Sequence, residues 1–269
     1  MANQVPAGWY PDPSGQPGQR YWDGVQWTAD TTAVNMAEIS AVLAEVGIQP
    51  RHGDGTPFGE PVVVVDQCSI DTRTGYRYDL WSGSGNLLAQ CTEDTRTPDV
   101  DTTPLGEAIK QNNTDRVRFH DPSGRVWAQL AHRKTWKSKI TVTGPDGREL
   151  GLITQKNVIG RVRFDVTAGG QKLAQLRSTN TRLAEFGITD QTGTTVGRIL
   201  KLGNYASWRP LRDAKAIGRY VLDLPVRLPQ PLITLALVAP VAVDLAFNPS
   251  QAGYRNAERL AANGFKSPR

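Results

Sequence analysis

The chain has 269 residues, 39% of them hydrophobic and 21% charged, with a formal net charge of +5. It is too apolar for wholesale disorder and long enough for one large domain with a small companion. Two cysteines, Cys68 and Cys91, with no CxxC spacing, support neither a disulfide framework nor a zinc site. The charge is unevenly spread. Residues 1–104 hold 5 Lys/Arg against 14 Asp/Glu, residues 105–220 hold 21 against 9, and residues 221–269 hold 5 against 3. A basic middle suits an anionic surface such as lipid headgroups or nucleic acid, although a solvated barrel exterior accounts for most of such an excess.

The start, MANQVPAGWYPDP, has neither a basic n-region nor an apolar h-region, so no secretory signal is predicted and the cytoplasm is the expected compartment. GWYPDPSGQPGQRYWDGVQWT, residues 8–28, crowds Trp9, Tyr10, Tyr21, Trp22 and Trp27 together. Pro-Asp-Pro-Ser-Gly and Asp23-Gly24 are turn chemistry, so residues 5–30 are predicted to form two or three short strands pinned by aromatic packing. A unit this small is marginal alone. The pattern GWYPDP…RYWDG..WT resembles a small actinobacterial domain of unknown function. That resemblance implies a place at the N-terminus of membrane- or envelope-associated proteins and no chemistry of its own. Residues 31–55 are expected to be a linker. Ile39, Leu43 and Val46 at near-helical spacing predict a short helix within it, and RHGDGTPFGEP, residues 51–61, reads as a loop.

The main body, residues 56–248, contains a repeat. Gly124, Gly147, Gly170 and Gly193 each follow the last by 23 residues, within FHDPSGRVWAQL, VTGPDGRELGLI, DVTAGGQKLAQL and ITDQTGTTVGRIL; an earlier copy, DLWSGSGNLLAQC, centres on Gly85. Each unit reads as a β-hairpin with an Asp/Gly-rich turn. In the third copy Phe164 and Val166 are offset by one, which predicts a turn one residue shorter. A small residue recurs in every copy: Ala89, Ala128, Gly151, Ala174 and Gly197. It predicts an interior where the strands approach a central object. Such a period fits a solenoid, a propeller or a meander closing into a barrel. With flanking strands at PVVVVDQC and IGRYVLDL, about a dozen strands are expected.

LITLALVAPVAVDLAF, residues 232–247, is the most apolar stretch. Sixteen helical residues rise about 24 Å, short of the roughly 30 Å hydrocarbon core of a bilayer. Pro231 suits a helix start and Pro249 follows its end. Pro240 removes a mid-helix hydrogen bond and predicts a kink. Asp244 is costly in lipid, whereas inside a fold it finds backbone amides or an arginine. The segment is therefore expected to be a core helix and not a membrane span, with residues 249–269 as a tail.

From about Pro61 to Phe247 the chain resembles the LURP-one-related/phospholipid scramblase family of the Tubby C-terminal-like superfamily. The residues that carry the resemblance are PVVVVDQ, the Asp/Gly hairpins, WKSKITVTGPDGRELGLITQKNVIGRVRFDV, RYVLDLPVRLPQPL and the apolar segment ending AVDLAF. It implies a mainly β fold, a twelve-stranded Tubby-like barrel wrapped around one hydrophobic C-terminal helix. It also implies anionic phospholipid as the partner, bound on a basic barrel surface at the inner face of the plasma membrane, with scramblase-like action on lipid. The alternative expectation is a non-catalytic scaffold or sensor whose N-terminal domain recruits a protein partner.

The candidate headgroup-binding residues are Arg133, Lys134, Trp136, Lys137 and Lys139 in RKTWKSK, extended by Lys156, Arg161 and Arg163 if neighbouring strands bring them close. Amines meet phosphates while an indole sits at headgroup level. A surface loop whose tryptophan packs back on the barrel is the alternative reading. No metal and no cofactor are expected. Animal scramblases carry an acidic segment before the last helix, proposed to bind calcium. Here RDAKAIGRYVLDL offers Asp213 and Asp223 among Arg212, Lys215 and Arg219, too basic for a site that needs converging carboxylates. An enzyme is not expected either: His52, His120 and His132 are the only histidines, and GxSxG, P-loop and HExxH patterns are absent. No helix-turn-helix, zinc or RNP pattern points to nucleic acid.

Overall fold

The computed structural model describes residues 8–14, 19–31, 36–71, 75–93, 114–133, 137–180, 184–202 and 219–247. The aromatic N-terminal stretch forms a three-stranded antiparallel sheet, β1 (Gly8–Pro11), β2 (Gln19–Trp22) and β3 (Trp27–Thr31), in that order. Trp27 sits edge-on to Trp22 and Tyr10, with ring centres 5.3 and 6.2 Å apart. Asp12 accepts from the amide of Ser14 and pairs with Arg20 at 3.1 Å. Asp23 accepts from the amides of Val25 and Gln26. These short-range bonds do for this sheet what its small core cannot.

Helix α1 (Met36–Glu45) is the predicted short helix. It ends in a Schellman turn: Gly47, with φ of 66°, donates to Ala44 O, and Ile48 donates to Leu43 O. The segment around it, expected as a linker, is packed on the barrel. Ile39, Val42, Leu43 and Ile48 pack against Val62, Val64, Trp81 and Val221 of the barrel wall. The following loop is strapped down as well: Glu60 accepts from the amides of Gly53 and Gly55, and Arg51 reaches Asp223.

The twelve remaining strands close into one antiparallel barrel. They are β4 (Val62–Asp71), β5 (Gly75–Ser82), β6 (Leu87–Glu93), β7 (Thr114–His120), β8 (Val126–Arg133), β9 (Lys139–Thr143), β10 (Glu149–Gln155), β11 (Arg163–Ala168), β12 (Gln171–Ser178), β13 (Glu185–Asp190), β14 (Thr195–Leu202) and β15 (Arg219–Asp223). Each pairs with its sequence neighbours, and β15 pairs with β4 to shut the ring. The repeat glycines Gly85, Gly124, Gly147, Gly170 and Gly193 all take positive φ, between 78° and 88°. In four hairpins the amide of residue i bonds to the carbonyl of i+4 and the glycine amide returns to i, as from Asp121 to Arg125 and from Gly124 to Asp121. The β11–β12 hairpin instead turns on Gly169 and Gly170 alone, one residue shorter as the offset predicts. The run Val62–Val65 alternates between the barrel core and the surface under α1, which is why it is apolar at every position.

Helix α2 (Leu232–Phe247) fills the lumen, and every residue from Leu232 to Leu245 is buried. It must be apolar all round because it has no solvated face. It continues through Pro240 as one helix. One of the recurring small residues lies against it: a Cβ on Gly151 would stand 2.9 Å from Leu235 Cδ1 and 2.4 Å from Thr167 O. Among the described residues no helix is long and apolar enough to cross a membrane. The fold is thus mainly β, a closed twelve-stranded barrel around its own C-terminal apolar helix. Its two ends differ. The tight hairpins and the start of α2 share one end, and the connections between hairpins share the other with the end of α2.

Candidate functional site: the inter-hairpin end of the barrel

Strand register places basic side chains side by side on the outside of this end. Alternation puts Leu130, His132 and Ile140 inside and Arg133 and Lys139 outside, and those two are direct cross-strand partners. Two strands on, Arg163 on β11 faces Arg177 on β12, while the amide of Lys156 donates to Arg163 O. Arg116, exposed on β7, lies diagonally beside Arg133. The patch spans β7–β12, about 24 Å at usual strand spacing. Like charges facing each other across a ladder are destabilising. Among the described residues no carboxylate lies in ion-pair range of Arg116, Arg133, Lys139, Arg161, Arg163 or Arg177. Asp165 lies within this face, pairs with Lys172 at 2.8 Å and Lys156 at 3.6 Å and accepts from Gln175. Partial burial pushes the Asp165 carboxyl up, but Lys172, Gln175 and Lys156 outweigh it and hold it below the ordinary value.

The sequence candidates therefore gather at one end. Arg133 and Lys139 pair directly. Lys137 lies exposed just before β9, and Lys156, Arg161 and Arg163 stand on the β10–β11 connection and its first strand residue. Lys134 and Trp136 lie outside the described residues. Arg116 and Arg177 were missed because their neighbours are set by register, which a linear scan for basic clusters does not see.

Inside the same end the wall turns polar. Asp244 of α2 accepts from Tyr78 Oη at 2.6 Å and from Tyr220 Oη, and Lys201 Nζ lies 3.6 Å away. Asp244 is completely buried. Among the described residues it meets two tyrosines and a lysine. Burial pushes the Tyr220 phenol well above its ordinary value, reinforced by the Asp244 charge, so the hydroxyl stays a donor. Burial lowers the Lys201 ammonium, and Asp244 works against that shift. Lys201 also lies 5.2 Å from the Tyr220 ring centre. These bonds tie the end of α2 to β5, β14 and β15.

A second polar cluster joins β7, β8 and β9. His132 Nδ1 lies 3.3 Å from Asp115 Oδ2, and His132 Nε2 lies 3.2 Å from Ser138 Oγ. With Nδ1 carrying the proton toward the carboxylate, Nε2 accepts from the serine, the order of a nucleophile, base and orienting acid. All three residues are buried, and the Ser138 amide is committed to Gln155 Oε1 at 3.0 Å, so it is not free to stabilise an oxyanion. The cluster clasps the rim: Gln155 Nε2 continues it to Asn157 O in the β10–β11 loop. His120, beside a hairpin turn, is pushed down by burial and stays neutral. Burial, with Asp79 nearby, raises the Cys91 thiol and leaves it unreactive. Among the described residues no group of three or more His, Cys, Asp or Glu could hold a metal ion. Asp223, from the stretch weighed for calcium, is gripped by Arg198 at 2.9 Å and by Arg51, and Asp213 lies outside the described residues.

Residues 7–38 match the model of a family described as a protein of unknown function (DUF2510). No curated protein and no solved structure matches the chain.

Proposed function

We propose that the chain binds anionic phospholipid headgroups at the inner face of the plasma membrane, through the basic outer surface of the inter-hairpin end. The observation that carries this reading is the pair of like-charge ladders, Arg133 with Lys139 and Arg163 with Arg177, which have no carboxylate partner among the described residues. A sheet that stabilises only itself places opposite charges there. An array of phosphates supplies the missing counter-charge and benefits from the adjacency. The resemblance to the LURP-one-related/phospholipid scramblase family agrees with it in architecture and in partner. Transbilayer movement is no part of the proposal. The lumen is filled by α2, which Tyr78, Tyr220 and Lys201 hold by Asp244, and that leaves a headgroup no polar path. The Asp115–His132–Ser138 cluster acts as a rim clasp in this reading.

Flotation of the full chain with phosphatidylcholine vesicles, with and without phosphatidylglycerol, tests the proposal. Binding should require the anionic lipid, weaken with salt, and be lost in the Arg133→Glu/Arg163→Glu variant. Flotation unchanged by that variant rejects the site. Labelled lipid crossing the bilayer faster than in empty vesicles rejects the statement that none is moved.

A further inference from the structure

The connection between β10 and β11 carries an apolar tip into the basic end. Its sequence, Lys156-Asn157-Val158-Ile159-Gly160-Arg161, puts two apolar residues at a tip between cations. Ile159 is 85% exposed and Val158 38%, two of the five large hydrophobic residues that the described chain leaves exposed. Exposure here does not come from a loose chain. Asn157 Nδ2 donates to Ile159 O at 2.8 Å and to Arg161 O at 3.0 Å, and its Oδ1 accepts from the Arg163 amide at 2.8 Å. Gly160, with φ of 80°, makes the turn. Gln155 joins the loop to the rim by donating to Asn157 O and accepting from Ser138 N. Next to the tip Val162 is fully packed in the core, so Val158 and Ile159 are the residues held outward.

We infer that this loop is a membrane-inserting tip: Val158 and Ile159 enter the interfacial layer of an anionic bilayer while Arg161, Arg163 and Arg177 meet its phosphates. The inference rests on the headgroup-binding reading above and adds an apolar component to it. Charge complementarity selects the partner. An apolar tip ringed by cations fits a surface that is anionic outside and hydrocarbon beneath, as for amphipathic interfacial segments. Asn157 pre-organises the tip, so little ordering is needed on contact. The geometry also sets an orientation, with the inter-hairpin end toward the lipid and the tight hairpins pointing away.

The test places an environment-sensitive dye at the tip. The full chain carrying Ile159→Cys and Cys68→Ser is labelled at position 159, because Cys91 is wholly buried with its thiol pushed up and reacts slowly. On vesicles of phosphatidylcholine and phosphatidylglycerol the dye should brighten, shift to the blue and be quenched by lipids bearing a nitroxide near the headgroup. In parallel, unlabelled Ile159→Asp should lower vesicle partitioning by about fivefold, and Ile159→Trp should raise it, as expected for half-burying one such side chain. Circular dichroism of each variant checks the fold. Vesicle binding by the wild type with no dye response and no effect of Ile159→Asp overturns the tip and leaves headgroup binding standing. No binding of the wild type to anionic vesicles overturns both.

Discussion

Lys201→Met is the sharpest probe of how α2 is retained. Asp244 is fully buried and the Lys201 side chain is 15% exposed, with 3.6 Å between Nζ and Oδ1. At an effective dielectric constant of about 20 that separation gives roughly 4–5 kcal/mol of attraction before desolvation. Removing one partner of a buried pair strands the other charge and costs about 3–5 kcal/mol. The residual exposure of Lys201 argues for the lower figure, so Lys201→Met should cost about 3 kcal/mol. Asp244→Asn keeps an acceptor for Tyr78 but removes the charge facing the lysine, which can turn to solvent, and should cost about 2 kcal/mol. The double variant should cost about 3 kcal/mol, leaving a coupling of roughly 2 kcal/mol. Urea unfolding followed by far-ultraviolet circular dichroism measures all three. Additive single costs, within about 0.5 kcal/mol, would falsify the latch. Vesicle binding by folded Lys201→Met should match the wild type, because the latch faces the lumen and the basic patch faces out.

Arg163→Glu converts a like-charge pair with Arg177 into an opposite one and should stabilise the fold by about 0.2–1 kcal/mol while weakening flotation; a variant both less stable and equally bound contradicts the role given to the patch. Gly151→Ala should cost about 1–3 kcal/mol, since its Cβ meets Thr167 O at 2.4 Å and Leu235 Cδ1 at 2.9 Å; Leu235→Ala should relieve part of that cost in a double-mutant cycle, and full additivity would mean the two do not touch. In the hairpin turn the Thr192 hydroxyl, together with amides of Thr194, Thr192 and Gly193, holds the Asp190 carboxyl below its ordinary 3.8. A depressed native value contributes stability that is complete above the unfolded value and is lost as pH falls through the lower native one. Asp190→Asn should therefore flatten the loss of stability below about pH 4, and identical acid profiles for the two proteins would rule this contribution out.

The hairpins were legible because a turn glycine is a local demand. Positive φ at Gly124 or Gly193 needs that residue whatever surrounds it, so a 23-residue spacing shows in one dimension. The small residues at Gly151 and Gly197 were legible for the same reason: each is the local trace of a close approach, by Thr167 and Leu235 at the first and by Asp223 and Leu224 at the second. The docking of α1 was not, since Ile39, Leu43 and Ile48 show an apolar face without naming what covers it. The basic patch was half legible. RKTWKSK stands out as a run, but Arg116 comes beside Arg133, and Arg177 beside Arg163, only through ladder register. Asp115 and His132 lie on paired strands and Ser138 just before a third, and they meet for that reason too. Sequence gave no signal for the partners of Asp244, because Tyr78, Lys201 and Tyr220 are separated from it by up to 166 residues.

The two ends of the barrel divide the work according to their chemistry. At the hairpin end the loops are tight and their carboxylates cap amides within the same turn, as Asp121 and Asp190 do, so little polarity is left over for a partner. At the opposite end Arg133 faces Lys139 and Arg163 faces Arg177 across the ladders, and the β10–β11 loop holds an apolar tip outward. Both features cost stability in an isolated domain. The polar network within the lumen at that same end keeps α2 seated, so a contact made outside need not disturb the core. A barrel arranged in this way can meet a charged interface end-on while its own most apolar segment stays inside. That ordering makes the proposed membrane contact and helix retention separable: Ile159→Asp should change the first alone, and Lys201→Met the second alone.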